Sequence, residues 1–445
     1  MITLVLFIIA LLLLAVFYLR IPVGMLLALL GFIGYALAES MNYHAGIGLK
    51  NALSMVGNEF WGTFANINLT VIPLFVLMGQ IVFFSGLCQR LYESVFCWVG
   101  HKTGGIATAT LLACGAFSAI CGSNTATAAT MSVVAYPQMK KYGYQPAFAG
   151  GVVATGSCLG AVIPPSVVAI VLSIQTGQPA SQLFVGGILP GAILLCLLTG
   201  TVHVLIKRHP GWAPARAEAA DKKTRLATLP GLLEAALLFG LVIGGLSGGI
   251  FTPTEAGAAG SMLALALGLL GRNLSIKKMA HALKDTMYVS AMIFLLLAGA
   301  NIFGKFMVIT RTPFAVAQSI SSMDIAPALV MLLILAIFFV GGMIMDALAL
   351  LLITLPIFSP LITGLGFNPL WFCLMLLVIT TAGAITPPVG TSAFVASSMC
   401  RVPLRDIFAK TILFIPAFGL CLIIMALLPG LFLWLPGLAQ QAALP

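Results

Sequence analysis

Two long apolar segments of this chain are interrupted by consecutive prolines, and both interruptions have the same pattern. The pattern is Gly-Ala-x-x-Pro-Pro, at Gly160–Pro165 and again 223 residues later at Gly383–Pro388. A proline has no backbone N–H and its ring blocks the preceding helical turn, so paired prolines end a helix. In hydrocarbon, the freed carbonyl groups must be taken up by protein or by a solvated cavity. Matched breaks in two halves of a membrane protein indicate a binding site near the bilayer midplane.

The chain is too apolar for a water-soluble protein. Of its 445 residues, 61% are hydrophobic and 7% are charged, which is typical of an all-α polytopic membrane protein. The nine cysteines have no metal-binding spacing and are predicted to be small buried residues. Apolar runs of spanning length lie near 2–19, 22–38, 69–86, 146–176, 183–206, 228–249, 253–270, 288–308, 369–398 and 408–435.

Two further apolar stretches, 104–142 and 325–367, fit neither one span nor two. Each has polar or glycine-rich residues near its middle. Two arms of roughly 15 residues would reach the bilayer midplane and return, so each stretch is predicted to be a re-entrant hairpin. Two amphipathic stretches, near 40–66 and 87–102, are predicted to be helices lying along the membrane interface.

The distribution of the basic residues indicates on which side of the membrane each loop lies. With the N-terminus outside and five full spans per half, only Lys50, Lys305 and Arg311 lie outside. That leaves 18 of the 21 basic residues inside. Cytoplasmic loops carry such an excess, so both termini are predicted to lie on the outer side of the membrane.

An odd number of spans per half requires the second half to be inserted upside down. At an offset of 223, Pro137 aligns with Pro360 and Gly143 with Gly366. Such residues dictate backbone shape, so the sequence predicts an inverted repeat. The first repeat is 1–206, with hairpin 104–142 and broken helix 146–176. The basic segment 207–227 is the cytoplasmic linker, and the second repeat is 228–445, with hairpin 325–367 and broken helix 369–398.

Three oxygen-bearing side chains, those of Ser123, Asn124 and Thr125, lie where the first hairpin must turn. Together with carbonyls from a broken helix they are suitable ligands for a small hard cation such as sodium. The alternative is that these hydroxyls only join helices by hydrogen bonds. Proximity to a broken helix favours the cation site.

Asp346 occupies the second-half position equivalent to Ser123. A carboxylate in an apolar stretch is expensive and indicates function. It either neutralises a bound cation or caps the second helix of the hairpin. The second broken helix adds a set of hydroxyl groups on both sides of its prolines: Thr380, Thr381, Thr386, Thr391 and Ser392.

The position of a second acidic group within an apolar segment, Glu255, favours a structural role for it. Thr254 is a plausible N-cap, which would place Glu255 in the first turn of a helix and favourable to its dipole. Motifs for nucleotide binding, zinc proteases and serine nucleophiles are absent from the sequence, so we expect neither catalytic residues nor an organic cofactor.

The chain closely resembles the large membrane subunit of tripartite ATP-independent periplasmic (TRAP) transporters. The resemblance covers essentially the whole chain. It is carried by Gly122-Ser123-Asn124-Thr125, the break at Gly160–Ser166, Phe251-Thr252-Pro253-Thr254-Glu255-Ala256, Gly341–Asp346, and Thr380–Pro388.

This resemblance implies the fold of the ion-transporter superfamily and an elevator motion driven by sodium. The transport domain would be roughly 104–200 and 325–430, and the scaffold roughly 1–86 and 228–308. Substrate would be a small carboxylate: a C4-dicarboxylate, sialic acid, keto acid or sugar acid. It would arrive on a periplasmic binding protein, and a small four-helix membrane subunit, expected as a separate chain, would complete the complex.

The resemblance also assigns residues. One sodium site would use Ser123, Asn124, Gly160 and Ile163. A second would use Gly341, Gly342, Asp346, Thr380, Gly383 and Thr386. Substrate would contact Thr125, Pro164, Pro165, Ser166, Pro387, Pro388 and Thr391.

Two alternatives are also compatible with the sequence. One is a related carboxylate symporter that acts without a binding protein. The other is a channel with re-entrant loops, although a channel would more naturally be a symmetric oligomer of short chains.

Overall fold

A computed structural model describes residues 22–42, 45–213, 219–321 and 326–442. The described residues are helical, with turns and short 3₁₀ segments but without strands. The helices are α1 Val23–Asn42, α2 Ala45–Phe64, α3 Val71–Phe84, α4 Leu87–Val99, α5 Gly105–Cys121, α6 Asn124–Lys141, α7 Pro146–Ser157, α8 Leu159–Val162, α9 Val167–Thr176, α10 Ala180–Arg208, α11 Lys222–Ser247, α12 Pro253–Leu270, α13 Ile276–Ile309, α14 Thr312–Ser321, α15 Pro327–Ile344, α16 Ala347–Gly364, α17 Pro369–Gly383, α18 Thr391–Cys400, α19 Leu404–Thr411, α20 Ile415–Leu427 and α21 Pro429–Ala442.

Among the described residues, ten helical segments are long and apolar enough to cross a membrane. The predicted first span, 2–19, lies outside the described residues, as does part of the predicted linker. The hairpin arms are longer than the roughly 15 residues expected: α5 has 17 residues, and α6, α15 and α16 have 18 each. Two of these arms, α15 and α16, are among the ten segments of spanning length, whereas the predicted span at 369–398 is not, because α17 has only 15 residues and ends at Gly383.

The two stretches predicted to lie along the interface are also helical, as α2 and α4. In α4 the apolar positions form a buried face that includes Leu87, Leu91 and Tyr92. Arg90 on the same helix pairs with Glu234 of α11 at 2.9 Å. The amphipathic pattern of this segment therefore reflects packing against other helices of the protein.

The chain divides into two compact units. One contains the described residues of Met1–Pro73, Met287–Ala336 and Leu348–Pro369. In it, α1 and α13 approach at backbone distance, because a Cβ on Gly31 would be 2.7 Å from the backbone nitrogen of Phe303. Small residues permit such close helix packing in membranes. Lys305 of α13 pairs with Glu59 of α2 at 3.3 Å.

The other unit contains the described residues of Leu74–Thr286, Ile337–Ala347 and Leu370–Pro445. Its core is formed by the first parts of the two broken helices. All residues of α7 after Pro146 are buried, as are all residues of α17 after Pro369. Most of α7 is Ala, Gly, Val and Ser, and these small side chains let the hairpin helices pack closely around it.

Helix bounds recur between the two halves at the offset found in the sequence. The arm α6 begins at Asn124 and ends at Lys141, and α16 begins and ends 223 residues later. The helices α7 and α17 likewise begin at equivalent prolines, which suit the first position of a helix because the missing N–H has no partner there. Both Pro-Pro bonds, Pro164–Pro165 and Pro387–Pro388, are cis.

The predicted cap at Thr254 is wrong by two residues. The N-cap of α12 is Thr252, whose hydroxyl accepts a hydrogen bond from the Glu255 N–H. The Glu255 carboxylate in turn accepts one from the Thr252 N–H at 2.8 Å, which completes a capping box. Pro253 therefore occupies the first helical position, and Glu255 has the structural role expected of it.

Candidate functional site

The first hairpin turns at Gly122 and Ser123. Gly122 has φ 63°, a left-handed conformation that glycine adopts without strain. Ser123 caps α6, because its hydroxyl accepts a hydrogen bond from the Ala126 N–H at 3.4 Å. The Thr125 hydroxyl lies 3.2 Å from the Ser123 hydroxyl. The three oxygen-bearing residues predicted at this tip thus form the first turn of a helix.

The tip of the first hairpin packs against the first broken helix. The Val167 N–H donates to the Gly122 carbonyl at 3.2 Å. A Cβ on Gly160 would be 2.8 Å from the Ser123 carbonyl oxygen and 3.1 Å from the Asn124 nitrogen. Only a glycine lets the two backbones approach this closely. The structure therefore brings Ser123, Asn124 and Gly160 together.

The first break leaves carbonyl oxygens without their helical donors. In a continuous helix Gly160 and Ala161 would receive hydrogen bonds from residues 164 and 165, but both are prolines and have no N–H. In a continuous helix the Val167 N–H would donate to the Ile163 carbonyl, but here it donates to the Gly122 carbonyl instead. Ile163 itself is extended, with ψ 124°. The break therefore presents backbone acceptors beside the hairpin tip.

Asn124 supplies the test of whether this cluster fits a cation. Its side chain is only 9% exposed, and its Oδ1 is buried with no hydrogen-bond partner among the described residues. An unpaired buried oxygen is costly unless something compensates it. Neutral oxygens and broken-helix carbonyls are the donors that sodium takes in transporters. The residues at the first tip therefore fit a sodium ion.

The tip of the second hairpin meets the second break in a similar way. A Cβ on Gly342 would be 2.8 Å from the Thr380 carbonyl oxygen, and one on Gly383 would be 2.5 Å from the Gly342 carbonyl carbon. The N–H groups of Val389 and Gly390 both donate to the Met343 carbonyl at 3.1 Å. The predicted residues Gly342, Thr380 and Gly383 are thus in contact.

Two threonines of the second cluster are prepared to act as acceptors. The Thr380 hydroxyl donates to the Leu376 carbonyl at 2.7 Å, and the Thr386 hydroxyl donates to the Ala382 carbonyl at 2.8 Å. Both side chains are buried. A hydroxyl whose hydrogen is already donated to the backbone has only lone pairs to offer, and these can bind a cation.

The two remaining members of the second set lie at the hairpin tip. Gly341 is in the last turn of α15, where its carbonyl accepts from the Met345 N–H at 3.0 Å. Asp346 is half-buried and directly precedes α16. This place in the chain is compatible with both predicted roles, helix cap and cation ligand.

The residues predicted to contact substrate differ in exposure between the halves. Pro164, Pro165 and Ser166 are buried, and the Ser166 hydroxyl caps α9 by accepting from the Ala169 N–H at 3.3 Å. In the second half Pro387 is half-buried and Pro388 is exposed. Thr125 and Thr391 are half-buried, each at the first turn of its helix.

The two breaks also differ in how their carbonyls are satisfied, which the sequence does not reveal. In the second break Gly383 accepts from the Thr386 N–H at 2.9 Å and Ala384 from the Ser392 N–H at 3.0 Å. The Thr411 hydroxyl donates to Ile385 at 2.7 Å. Thr411 lies on α19, and no local pattern associates it with the break. In the second break these three carbonyls therefore all accept hydrogen bonds, and the second tip also has the acidic residue.

A conventional metal centre is not part of the described residues, which contain no group of three His, Cys, Asp or Glu side chains able to hold a metal ion. Among the described residues, ten helical segments of spanning length together with two hairpin tips and two broken helices are typical of a polytopic membrane permease.

The comparisons identify which permease family this is. The family model for the DctM component of tripartite ATP-independent periplasmic transporters matches residues 8–431, and the chain belongs to this family. Its members are transporters, not enzymes, which confirms the resemblance found in the sequence.

Relatives of this chain include named TRAP transporter large permease proteins. The C4-dicarboxylate TRAP transporter large permease protein DctM of Pseudomonas aeruginosa is 29% identical over 381 residues, which is 85% of this chain and 88% of that protein. The ectoine TRAP transporter large permease protein TeaC of Halomonas elongata is 28% identical over 93% of this chain and 97% of its own length. The fold is similar to that of the YdaH transporter of Alcanivorax borkumensis, with a TM-score of 0.60, 16% identity, and coverage of 86% of this chain and 89% of that one.

Proposed function

We propose that this permease couples the uptake of a small carboxylate to sodium entry across the bacterial inner membrane. The observation that carries the proposal is the pairing of each hairpin tip with a helix break. Each pairing brings neutral oxygens and backbone carbonyls together in the core of one compact unit. Charged substrates need such polar, protein-lined environments in the membrane.

Two sodium sites follow from these pairings. The first is formed by Ser123, Asn124 and the carbonyls near Gly160 and Ile163. The second is formed by residues of the second tip and break: Gly341, Gly342, Asp346, Thr380, Gly383 and Thr386. The buried oxygen of Asn124 and the back-bonded hydroxyls of Thr380 and Thr386 support the assignment.

Substitution of Asn124 by alanine tests the first site. Loss of one neutral ligand should raise the sodium concentration for half-maximal uptake about fivefold, the equivalent of ~1 kcal/mol. The Oδ1 atom has no hydrogen-bond partner among the described residues, so its removal breaks no hydrogen bond and should not destabilise the protein. Uptake into vesicles at varied sodium concentration gives the answer. A sodium dependence equal to that of the parent protein would remove Asn124 from the site.

We further propose that the two halves form an inverted repeat that works as an elevator. Helix bounds that recur at the offset of 223 support this proposal. So does the hydrogen bond from the Cys158 thiol to the Thr381 carbonyl at 3.3 Å, which joins two positions separated by that same offset. Two equivalent positions can contact each other only where a pseudo-twofold axis passes between them. The axis would pass through the packed ends of α7 and α17.

Paired cysteines test the elevator motion in a cysteine-free background. Ala192 and Ala236 line one cavity, with Ala192 in the proposed transport domain and Ala236 in the proposed scaffold. A disulfide between Ala192→Cys and Ala236→Cys should form to different extents with and without sodium and substrate. The control pair, Leu74→Cys and Ser261→Cys, lies within the proposed scaffold, where the Ser261 hydroxyl donates to the Leu74 carbonyl at 2.7 Å. Equal cross-linking of the first pair in every condition would favour a fixed pore.

The substrate and the partners are part of the same proposal. The named relatives are transporters of C4-dicarboxylate and of ectoine, which supports a small carboxylate or a zwitterion that carries one. The tripartite family supports two partners, a periplasmic binding protein and a small four-helix membrane subunit. In this arrangement both termini are periplasmic and the segment 207–227 is cytoplasmic.

A further inference from the structure

A cavity of about 360 Å³ lies between α5, α10 and α11, outside the two clusters described above. Its lining contains no ionisable or hydroxyl-bearing side chain. The floor is buried and formed by small residues, Gly115, Ala119 and Ala235, whereas the mouth is exposed at Ala192 and Ala236. The remaining lining residues are Leu112, Ala116, Ile163, Ile188, Leu195, Leu232 and Phe239.

The surroundings of this cavity indicate what can occupy it. Helices α10 and α11 are long and apolar enough to cross a membrane, so a mouth between them would open towards hydrocarbon. Ala236 lies 14 residues after Lys222, the first residue of α11, which places it about 21 Å along the helix. A helix with its side chains is roughly 10 Å across, too wide for this volume. The cavity therefore suits a single flexible apolar chain.

A basic residue is located on the same face of α11 as the cavity. Arg225 precedes Leu232 by seven residues, roughly two helical turns. Its guanidinium lies over the Trp98 ring, 5.9 Å from the centroid. Its Nε is buried and has no hydrogen-bond partner among the described residues. An unpaired buried guanidinium donor calls for an acceptor, and phosphate is one that arginine binds well.

Further basic residues lie at the same ends of the two helices. Lys207 and Arg208 end α10, and Lys222 begins α11. Basic clusters beside membrane-spanning helices bind anionic lipid headgroups. Arg90 is not a candidate, because it pairs with Glu234.

We propose that an anionic phospholipid binds here, with its phosphate on Arg225 and one acyl chain in the cavity. The chain would contact Ile163, whose side chain forms part of the wall. Ile163 is held closely, since a Cβ on Gly191 would be 2.6 Å from its Cγ1. The lipid would thus pack against the residue that carries a proposed sodium-binding carbonyl. This consequence for transport rests on the proposed function, whereas the lipid site itself does not.

Photo-cross-linking tests the site in vesicles. The purified protein is reconstituted with phosphatidylglycerol or phosphatidylcholine carrying a diazirine in the acyl chain, and labelled peptides are identified by mass spectrometry. We expect label in 112–119, 188–195 and 232–239. Arg225→Gln should lower labelling by phosphatidylglycerol about fivefold, corresponding to ~1 kcal/mol for one basic residue at the surface. Labelling by phosphatidylcholine should not change.

Lys223→Gln is the matched control, because Lys223 precedes Leu232 by nine residues, about two and a half turns, and so lies on the opposite face. It should leave both labels unchanged. Ala236→Phe should lower labelling by both probes, because the ring occupies the cavity. Equal losses for Arg225→Gln and Lys223→Gln, or label spread evenly over all exposed helix faces, would overturn the proposal. These readouts need no transport, so a protein that lacks sodium-dependent uptake would refute the proposed function and leave the lipid site standing.

Discussion

An Asp346→Asn protein should fold and reach the membrane but lose most of its sodium-coupled uptake. Asparagine caps a helix about as well as aspartate, so the substitution keeps a cap and removes only the charge. Loss of one member of a partly desolvated charge pair costs ~2 kcal/mol or more, so the half-maximal sodium concentration should rise at least about 30-fold. The measurement is substrate uptake into vesicles over a range of sodium concentrations.

The matched control is Asp406→Asn, which neutralises an acidic residue in the first turn of α19, outside both clusters. It should transport with the sodium dependence of the parent protein. Near-normal uptake by a well-expressed Asp346→Asn protein would leave Asp346 as a helix cap only. The second sodium site would then consist of threonine hydroxyls and carbonyls.

A Gly383→Ala protein should lose transport by more than about tenfold, with a loss of stability of about 1–3 kcal/mol from overpacking. The added methyl group would lie 2.5 Å from the Gly342 carbonyl carbon and 2.7 Å from its Cα, and both are backbone atoms that cannot rotate away. The second hairpin tip must therefore move away from the break. Uptake and thermal unfolding of the same preparation separate the two effects.

Gly419→Ala provides the comparison for this change. Gly419 is in α20, and a Cβ there would have no heavy atom within 4 Å. In a helix interior this substitution should stabilise the protein by about 0.5–1 kcal/mol and leave uptake unchanged. If Gly383→Ala transports as well as Gly419→Ala, close contact between tip and break is not required for function.

Much of this architecture could be predicted from the sequence because the governing interactions are local. Most of the apolar runs correspond to helices of spanning length, because backbone groups in hydrocarbon must bond within their own helix. Pro164–Pro165 and Pro387–Pro388 end helices because neither proline can donate a hydrogen bond. The turn at Gly122–Ser123 was equally predictable, since glycine tolerates the left-handed conformation and serine caps the next helix.

Helix ends were predicted less well, because alternative cap residues close together in the sequence differ little in free energy. Thr252 and Thr254 are both good caps, and only the reciprocal hydrogen bonds of Thr252 and Glu255 decide between them. The hairpin arms exceeded the expected length because a helix continues while packing supports it.

Contacts between distant segments were decided only by the tertiary structure. Nothing in the sequence around Met343 indicates that its carbonyl accepts hydrogen bonds from the N–H groups of Val389 and Gly390. Nor does the sequence around Ile385 indicate that its carbonyl accepts a hydrogen bond from the Thr411 hydroxyl. The same holds for the contact of Cys158 with Thr381 and for the face shared by Arg225 and the apolar cavity. The sequence by itself determined where the helices break and which oxygens are nearby in the chain. Which carbonyls are satisfied, and which remain to bind a ligand, depends on side chains brought from elsewhere by packing, and a linear pattern does not contain that information.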